Sequence, residues 1–287
     1  MKNSAAMKLR QVPAGYLVVG IDPHKKKHAA VAITEDLMVR VRFKFTNSGA
    51  GFEQALENAR AEMIKSSCRG IMFAIETGGH YWRNFAYCLE ERGIPFRLIS
   101  QFTLKRMRDG RDLNRRKNDF RDAEMAAGVF RTGDFTETKL PQGVYAELRS
   151  TYSAYFRLVK ERSSLINLLK GLLDGLFPEF TQIFKDPCGR TALTVLSVYP
   201  SPASISNLNK GIFVAAIRTE RQGRLMVKKL KTLHEAASIS IGIKPGADGV
   251  AMEVTQLVSR YHLIEQQVDR LVKSFIIIYL TKGMVNL

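Results

Sequence analysis

Short apolar runs dominate the first hundred positions of the chain. Three of them follow one another closely: YLVVGID at 16–22, HAAVAIT at 28–34 and VRVRFKF at 39–45. The polar segments PHKKK and TED between them are short enough for tight turns, and each suits a hairpin. The pattern therefore predicts three antiparallel strands in series.

Helical and strand patterns alternate after these runs. A helical period at 51–67 precedes the buried-strand run RGIMFAIET at 69–77, and a second helix at 81–93 precedes the strand PFRLIS at 95–100. Strands separated by helices in this way extend a sheet in parallel. Three antiparallel strands followed by helix, strand, helix, strand and further helices is the element order of the ribonuclease H-like fold. We therefore predict an α/β domain of that class.

From about residue 145 the strand signals nearly vanish and helical signals replace them. One predicted helix has apolar residues at intervals that alternate between four and three, which is an a/d heptad seam. The seam residues are Val250, Val254, Leu257, Tyr261, Ile264, Val268, Leu271 and Phe275. A core helix of a bundle would also show such spacing, but the length of the seam favours a coiled coil, within the chain or between chains. We expect an all-α coiled-coil region and a homo-oligomer formed through it.

Charge indicates the class of partner. Lys and Arg number 44 against 27 Asp and Glu, a formal charge of +17. Such an excess favours polyanions, nucleic acid first and an anionic membrane surface second. The N-terminus lacks a signal-peptide core and the late apolar run FIIIYL is short, so we expect neither secretion nor a membrane span. Three widely spaced cysteines fit a reducing compartment, and we expect a cytoplasmic protein.

Basic residues concentrate on the predicted helices and beside the first strand. On the segment 218–237, apolar residues occupy one face and basic residues another. A solvated basic face and a phosphate-binding face both fit this pattern. Across the chain, the candidate nucleic-acid contacts are Lys25, Arg115, Arg116, Lys117, Arg157, Lys160, Arg162, Lys170, Arg221, Arg224, Lys228 and Lys231.

Four acidic residues occupy positions that this fold brings together. Asp22 ends the first predicted strand, Glu76 ends the fourth, and Asp119 and Asp122 lie three positions apart on a helix after the fifth. The pair on the helix, taken alone, is more simply a solvated pair softened by its basic neighbours. Four converging carboxylates, in contrast, require cations and suit two Mg²⁺ ions that act on a phosphodiester. The four positions together favour this metal site.

Two alternatives concern the first strand end and its turn. His24 and Lys25 follow Asp22 and could contact a scissile phosphate, but solvated charge in a hairpin turn is an equally good interpretation. An actin-like ATPase shares an early strand-end aspartate, yet it needs a Gly-rich phosphate turn there, and the residues after Asp22 are a poor substitute.

The stronger alternative to a metal-dependent enzyme is a catalytically idle domain that only binds RNA or DNA through its basic helices.

Three sequence blocks within 16–133 carry a family resemblance: GIDPHKKKHAAVAI, FAIETGGHYWRNFAYCLEERG and LNRRKNDFRDAEMAAGVFRTG. They resemble the signature blocks of the DEDD insertion-sequence transposases of the IS110 family, which includes bridge-RNA-guided recombinases and is related to Piv-type invertases. The segment at 147–173 is similar to the basic helix that follows the catalytic domain in that family. The resemblance implies a RuvC-like domain with a Mg²⁺-binding tetrad of Asp22, Glu76, Asp119 and Asp122. It also implies DNA at the element ends and target, and a guide RNA, as partners.

The expected domain bounds follow from the same resemblance. They are an N-terminal tail at 1–15, a RuvC-like domain at 16–146, a helical coiled-coil region at 147–275 and an atypical tail at 276–287. Family members continue into a domain that opens with a PGIG-like segment and carries a serine nucleophile. The ending SFIIIYLTKGMVNL lacks that segment, so we expect a truncated member and assign no serine nucleophile. The implied function is Mg²⁺-dependent DNA strand cleavage and transfer, with a catalytically idle nucleic-acid-binding remnant as the alternative.

Overall fold

The chain divides into two compact units. The computed structural model describes residues 13–111, 118–135, 140–217 and 224–282. Contacts separate residues 1–140 from residues 141–287, and each unit has its own hydrophobic core. The boundary expected after residue 146 falls inside a helix that begins at Gly143.

The first unit is built on a five-stranded mixed sheet. Its strands are β1 (Tyr16–Asp22), β2 (Lys27–Ile33), β3 (Val39–Thr46), β4 (Gly70–Glu76) and β5 (Phe96–Ile99). They lie in the order β3-β2-β1-β4-β5. The pairs β1–β2 and β2–β3 are antiparallel, whereas β1–β4 and β4–β5 are parallel. The five predicted strands are confirmed, and their order is consistent with a ribonuclease H-like fold.

Helices cover both faces of this sheet. The helices α1 (Gly49–Lys65) and α2 (Trp82–Glu91) pack on one face. The helices α3 (Gln101–Arg111) and α4 (Asp119–Arg131) follow in the chain, and residues of both pack on the opposite face. Because both faces are covered, the central strands are apolar along nearly their whole length rather than alternating.

Helix α4 packs directly against the backbone of β1 at Gly20. A Cβ atom at position 20 would lie 1.9 Å from the carbonyl oxygen of Ala123 and 2.8 Å from the backbone nitrogen of Ala127. Both alanines are fully buried. Only glycine permits this approach, and small residues on α4 complete the contact. The contact fixes how close α4 lies to the sheet.

The second unit is helical throughout the part that the structure describes. Its helices are α5 (Gly143–Leu176), α6 (Pro178–Ile183), α7 (Arg190–Val198), α8 (Pro202–Ser206), α9 (Lys210–Ile217), α10 (Arg224–Ser238) and α11 (Ala247–Lys282). Leu165, Leu169 and Leu173 of α5 are buried in a core that the other helices complete. Among the described helices, none has both the length and the apolar character needed to cross a bilayer.

The predicted heptad seam lies on α11 and faces this core. The seam residues buried or partly buried there are Val250, Val254, Leu257, Tyr261, Ile264 and Val268. Near the far end of the helix, the Phe275 ring lies 6.1 Å from the Tyr155 ring of α5, between centroids. Residues of the same chain therefore cover much of the seam, and these positions need no second chain to remove them from water.

Candidate metal centre

Two of the predicted acids lie side by side at the carboxyl ends of β1 and β4. These strands are parallel and in register up to Ile21 and Ile75, so Asp22 and Glu76 occupy the next position on neighbouring strands. Residues in register project from the same face of a sheet. Here that face is the one that α4 covers.

The other two acids belong to the first turn of α4. Asn118 caps this helix, because its side-chain oxygen accepts a hydrogen bond of 3.0 Å from the backbone N–H of Phe120. Carboxylates are favoured in a first turn by the partial positive charge of the helix N-terminus. Asp122 is only 3% exposed, whereas the Asp119 side chain is 38% exposed. The helix thus presents one buried and one accessible carboxylate.

Asp22, Asp119 and Asp122 form one electrostatic group, which we call the acid cluster. Asp22 is 6% exposed. Burial raises the pKa of Asp22 above its ordinary value of 3.8; His24 opposes this rise, and the charges of Asp122 and Asp119 add to it. Ionising Asp22 in the absence of a cation therefore costs folding free energy. Glu76 is placed next to Asp22 by the strand register.

Two basic side chains contact Asp119 from opposite sides of its carboxylate. The Lys44 Nζ lies 2.8 Å from Oδ2 of Asp119, and the His24 Nε2 lies 3.5 Å from Oδ1. His24 Nε2 also lies 3.1 Å from Oδ2 of Asp22. The hydrogen bond from Lys44 holds the pKa of Asp119 below 3.8. Asp119 is therefore ready to be anionic, whereas Asp22 resists ionisation.

Lys44 is a residue that the sequence reasoning missed. It alternates with apolar positions along β3, as does Arg42, so both project from the same face of the strand. Arg42 pairs with Glu124 of α4 at 3.0 Å. The alternation VRVRFKF at 39–45 already indicates that Arg42 and Lys44 lie on one face of a strand. The acid that each base meets depends on how α4 crosses the sheet, and the alternation does not specify this.

The turn between β1 and β2 holds His24 through its backbone. The backbone N–H of His24 donates a hydrogen bond of 3.0 Å to Nδ1 of His28. His28 is fully buried, and the rings of Phe45 and Phe52 lie near it. Burial lowers the pKa of His28, which favours the neutral ring, and the Nδ1 of a neutral ring can accept this bond. The position of His24 therefore depends on the core of the first unit.

The arrangement can hold a divalent cation. Asp22, His24 and Asp119 each offer one ligand atom, and these atoms lie within 4.8 Å of one another. Carboxylate oxygens suit hard divalent ions. A cation bound here would also offset the cost that burial imposes on ionised Asp22. The residues present therefore fit a divalent cation, and two of these three, Asp22 and Asp119, belong to the predicted set of four acids.

The predicted nucleic-acid contacts lie on several elements. Exposed lysines and arginines are found in the β1–β2 turn, on α5 and on α10: Lys25, Arg157, Lys160, Lys170, Lys228 and Lys231. Arg162 pairs with Glu265 of α11 at 2.7 Å, which gives it a structural role inside the second unit. Arg115, Arg116, Lys117 and Arg221 lie outside the described residues, and so does the side chain of Arg224.

Comparison with known proteins identifies the family. Residues 19–178, more than half of the chain, match the DEDD family of IS110, described as "Transposase". The chain is also similar to the "Insertion element IS116 uncharacterized 44.8 kDa protein" of Streptomyces clavuligerus, with 27% identity over 188 residues. That alignment covers 65% of this chain and 45% of the relative, so the chain spans less than half the length of that relative. From the family match we conclude that this chain belongs to the IS110 family of DEDD transposases.

Proposed function

We propose that this chain carries the Mg²⁺-dependent centre of a transposase or site-specific recombinase that cleaves and transfers DNA strands. The observation that carries the proposal is the convergence of the buried Asp22 of β1 with Asp119 of α4, whose carboxylate oxygens and His24 offer ligand atoms within 4.8 Å of one another. Burial also raises the pKa of Asp22, so its ionised carboxylate destabilises the metal-free fold unless a cation compensates. Perturbed acids of this kind cluster at functional sites.

The chain's own residues orient the acid cluster. Bound Mg²⁺ would neutralise charge on a phosphodiester and activate the attacking oxygen. Lys44 holds Oδ2 of Asp119 and leaves Oδ1 directed towards His24. Asn118 fixes the start of α4, from which Asp122 projects. These contacts set the carboxylate positions in advance, which lowers the reorganisation that a reaction would require.

We propose DNA of the element ends and target as substrate, and a structured RNA as guide. The proposal draws on the family and on the net charge of +17. The exposed lysines of α5 and α10 supply the positive charge that phosphate contact requires. Because both partners are polyanions, the same basic helices could contact either of them.

We also propose a homo-oligomer, formed through a surface other than the covered part of the seam. Phe275 and Tyr155 contact each other where α11 and α5 run side by side. Exposed apolar side chains flank this contact on both helices: Tyr145, Tyr152, Phe156, Ile276, Ile277, Tyr279 and Leu280. We call them the outer patch. Apolar groups clustered at one end of a helix pair are typical of protein contacts.

Strand cleavage tests the proposed function. The whole chain is incubated with a supercoiled plasmid bearing the element ends and with RNA transcribed from the element flanks, in Mg²⁺ or in EDTA. We expect Mg²⁺-dependent nicking that Asp122→Asn abolishes and that Asp134→Asn, an exposed acid after α4, retains. Equal nicking by both variants would contradict the proposal. Binding of DNA and RNA without any Mg²⁺-dependent cleavage would favour the idle binding protein instead.

A further inference from the structure

We propose that His24 is itself a ligand of the metal ion, and that its imidazole makes the centre prefer Mn²⁺ to Mg²⁺. The inference rests on the proposed metal site and adds a nitrogen donor to its carboxylates. His24 lies two positions after Asp22, on the turn that leads into β2. It contacts acids from both β1 and α4.

The distances around His24 match those between the ligands of one ion. Neighbouring ligands of an octahedral ion with bonds of about 2.1 Å lie about 3 Å apart. His24 Nε2 lies 3.1 Å from Oδ2 of Asp22 and 3.5 Å from Oδ1 of Asp119. All three donor atoms lie within 4.8 Å of one another. One ion placed among them would need only small side-chain adjustments to reach all three.

The local structure holds the ring in this place and leaves it accessible. Pro23, between the two ligands, is buried and restricts the backbone there. The backbone N–H of His24 is bound by the buried His28. The side chain of His24 is nevertheless 40% exposed, so an ion can approach from solvent. Lys44 binds only Oδ2 of Asp119 and leaves the oxygen nearer His24 for the ion.

The identity of the donor atoms determines the preferred ion. Mg²⁺ is a hard ion that selects oxygen ligands and retains its waters. Imidazole nitrogen suits transition metal ions better, although carboxylates accept both classes. A centre of carboxylates alone would therefore suit Mg²⁺, whereas the same centre with His24 gains more affinity for Mn²⁺ than for Mg²⁺.

Metal binding to the whole chain tests this without reference to catalysis. The metal-free protein is titrated with Mn²⁺ alone and with Mg²⁺ alone by calorimetry, and the Mn²⁺ complex is examined by pulsed electron paramagnetic resonance. We expect nitrogen coupling to Mn²⁺ in the wild type and a ¹⁵N pattern after selective ¹⁵N-histidine labelling. His24→Asn should remove the coupling and weaken Mn²⁺ binding by at least about tenfold, with a smaller effect on Mg²⁺. His262→Asn, an exposed histidine of α11, should change neither.

The outcomes separate this inference from the proposed function. Mn²⁺ that binds in an Asp22-dependent manner but shows no histidine coupling would overturn the His24 ligand and leave the metal site intact. Tighter binding of both ions by His24→Asn would mean that His24 competes with the metal as a counter-ion. If neither ion binds, or if Asp22→Asn changes nothing, both the inference and the proposed metal site fail. The labelling measurement needs no variant, so a variant that fails to fold does not prevent the test.

Discussion

At the residue scale, two acids of the acid cluster respond to opposite forces. Asp22 is buried, and burial raises its pKa, whereas Lys44 lowers the pKa of the more exposed Asp119. The same chemical group therefore weakens the metal-free fold at one position and stabilises it at the other. This difference gives the two positions opposite pH dependence.

Replacing Asp22 with Asn should stabilise the metal-free protein at neutral pH. Since its pKa in the folded protein lies above 3.8, the ionised carboxylate costs stability above that pKa. The cost disappears as the pH falls below 3.8. In EDTA, the advantage of the variant in unfolding free energy should thus be greatest near neutral pH and vanish on acidification. Added Mg²⁺ should stabilise the wild type and not the variant.

Asp119→Asn is the matched control and should lower the stability of the metal-free protein at neutral pH. The pKa of Asp119 is lowered, so its contribution to stability is present above 3.8 and is lost as the pH falls through the folded pKa. Because Asp119 and Lys44 are both substantially exposed, Asp119→Asn should lower the free energy of unfolding by less than about 1 kcal/mol. If the two variants destabilise the metal-free protein alike, the acids are ion-pair partners and not a metal group.

Sequence alone could predict some of these residues and not others. Asp22 was predictable, because a strand-end acid requires only that the strand itself be recognised from its apolar run. Asp122 was predictable because its helix and the fold class place it near that strand. Lys44 was not, since its partner depends on the path of α4 across β3. The contact of His24 with two acids likewise depends on a turn that periodicity does not describe.

At the scale of elements, the contact between β1 and α4 permits a sharp test. Gly20→Ala places a methyl group where the Ala123 carbonyl oxygen lies, so we expect a loss of at least about 1–3 kcal/mol in unfolding free energy. The Mg²⁺ response should fall as well, because α4 carries Asp119 and Asp122. Gly128→Ala is the control on the same helix. A Cβ at position 128 has no neighbour within 4 Å, and the change should stabilise by about 0.5–1 kcal/mol.

The heptad seam shows what periodicity can and cannot specify. Its spacing identified a helix with one apolar face, and α11 has that face. The spacing does not name the helix that covers it, because any apolar partner satisfies the same pattern. Within the second unit α5 contributes to that covering, through leucines that the sequence reasoning treated only as part of a basic helix.

Charges introduced into the seam should therefore unfold the second unit rather than separate subunits. Leu257→Asp with Ile264→Asp buries two carboxylates in its core, and thermal melting should show a large loss of stability. The outer-patch pair Ile276→Ser with Tyr279→Ser should leave the melting temperature nearly unchanged and lower the mass measured by light scattering. A folded monomer produced by the seam variant would show that the seam joins chains after all.

For the whole molecule, the net charge of +17 predicts how binding responds to salt. Removing one cationic side chain that binds a phosphate should reduce the slope of log affinity against log salt by about one. Lys228→Gln with Lys231→Gln should lower this slope for RNA or DNA, as measured by fluorescence anisotropy at several salt concentrations. Arg162→Gln, whose partner is Glu265, is the control and should lower stability with little effect on the slope. An unchanged slope in the lysine pair would move the binding face to α5.

The backbone contact at Gly20 also bears on how genetic data for this chain should be read. In a saturation mutagenesis screen scored by the proposed transposition activity alone, position 20 would tolerate almost nothing, and it would rank with the acids although its role is to let α4 pack against β1. Scoring protein abundance in the same cells would distinguish substitutions that unfold the protein from substitutions that remove the metal site. Substitutions at Gly20 should deplete the protein itself, whereas Asp22→Asn should leave abundance unchanged or higher while the proposed transposition activity is lost. A screen of fitness alone would therefore assign to the candidate metal centre residues that act only in folding.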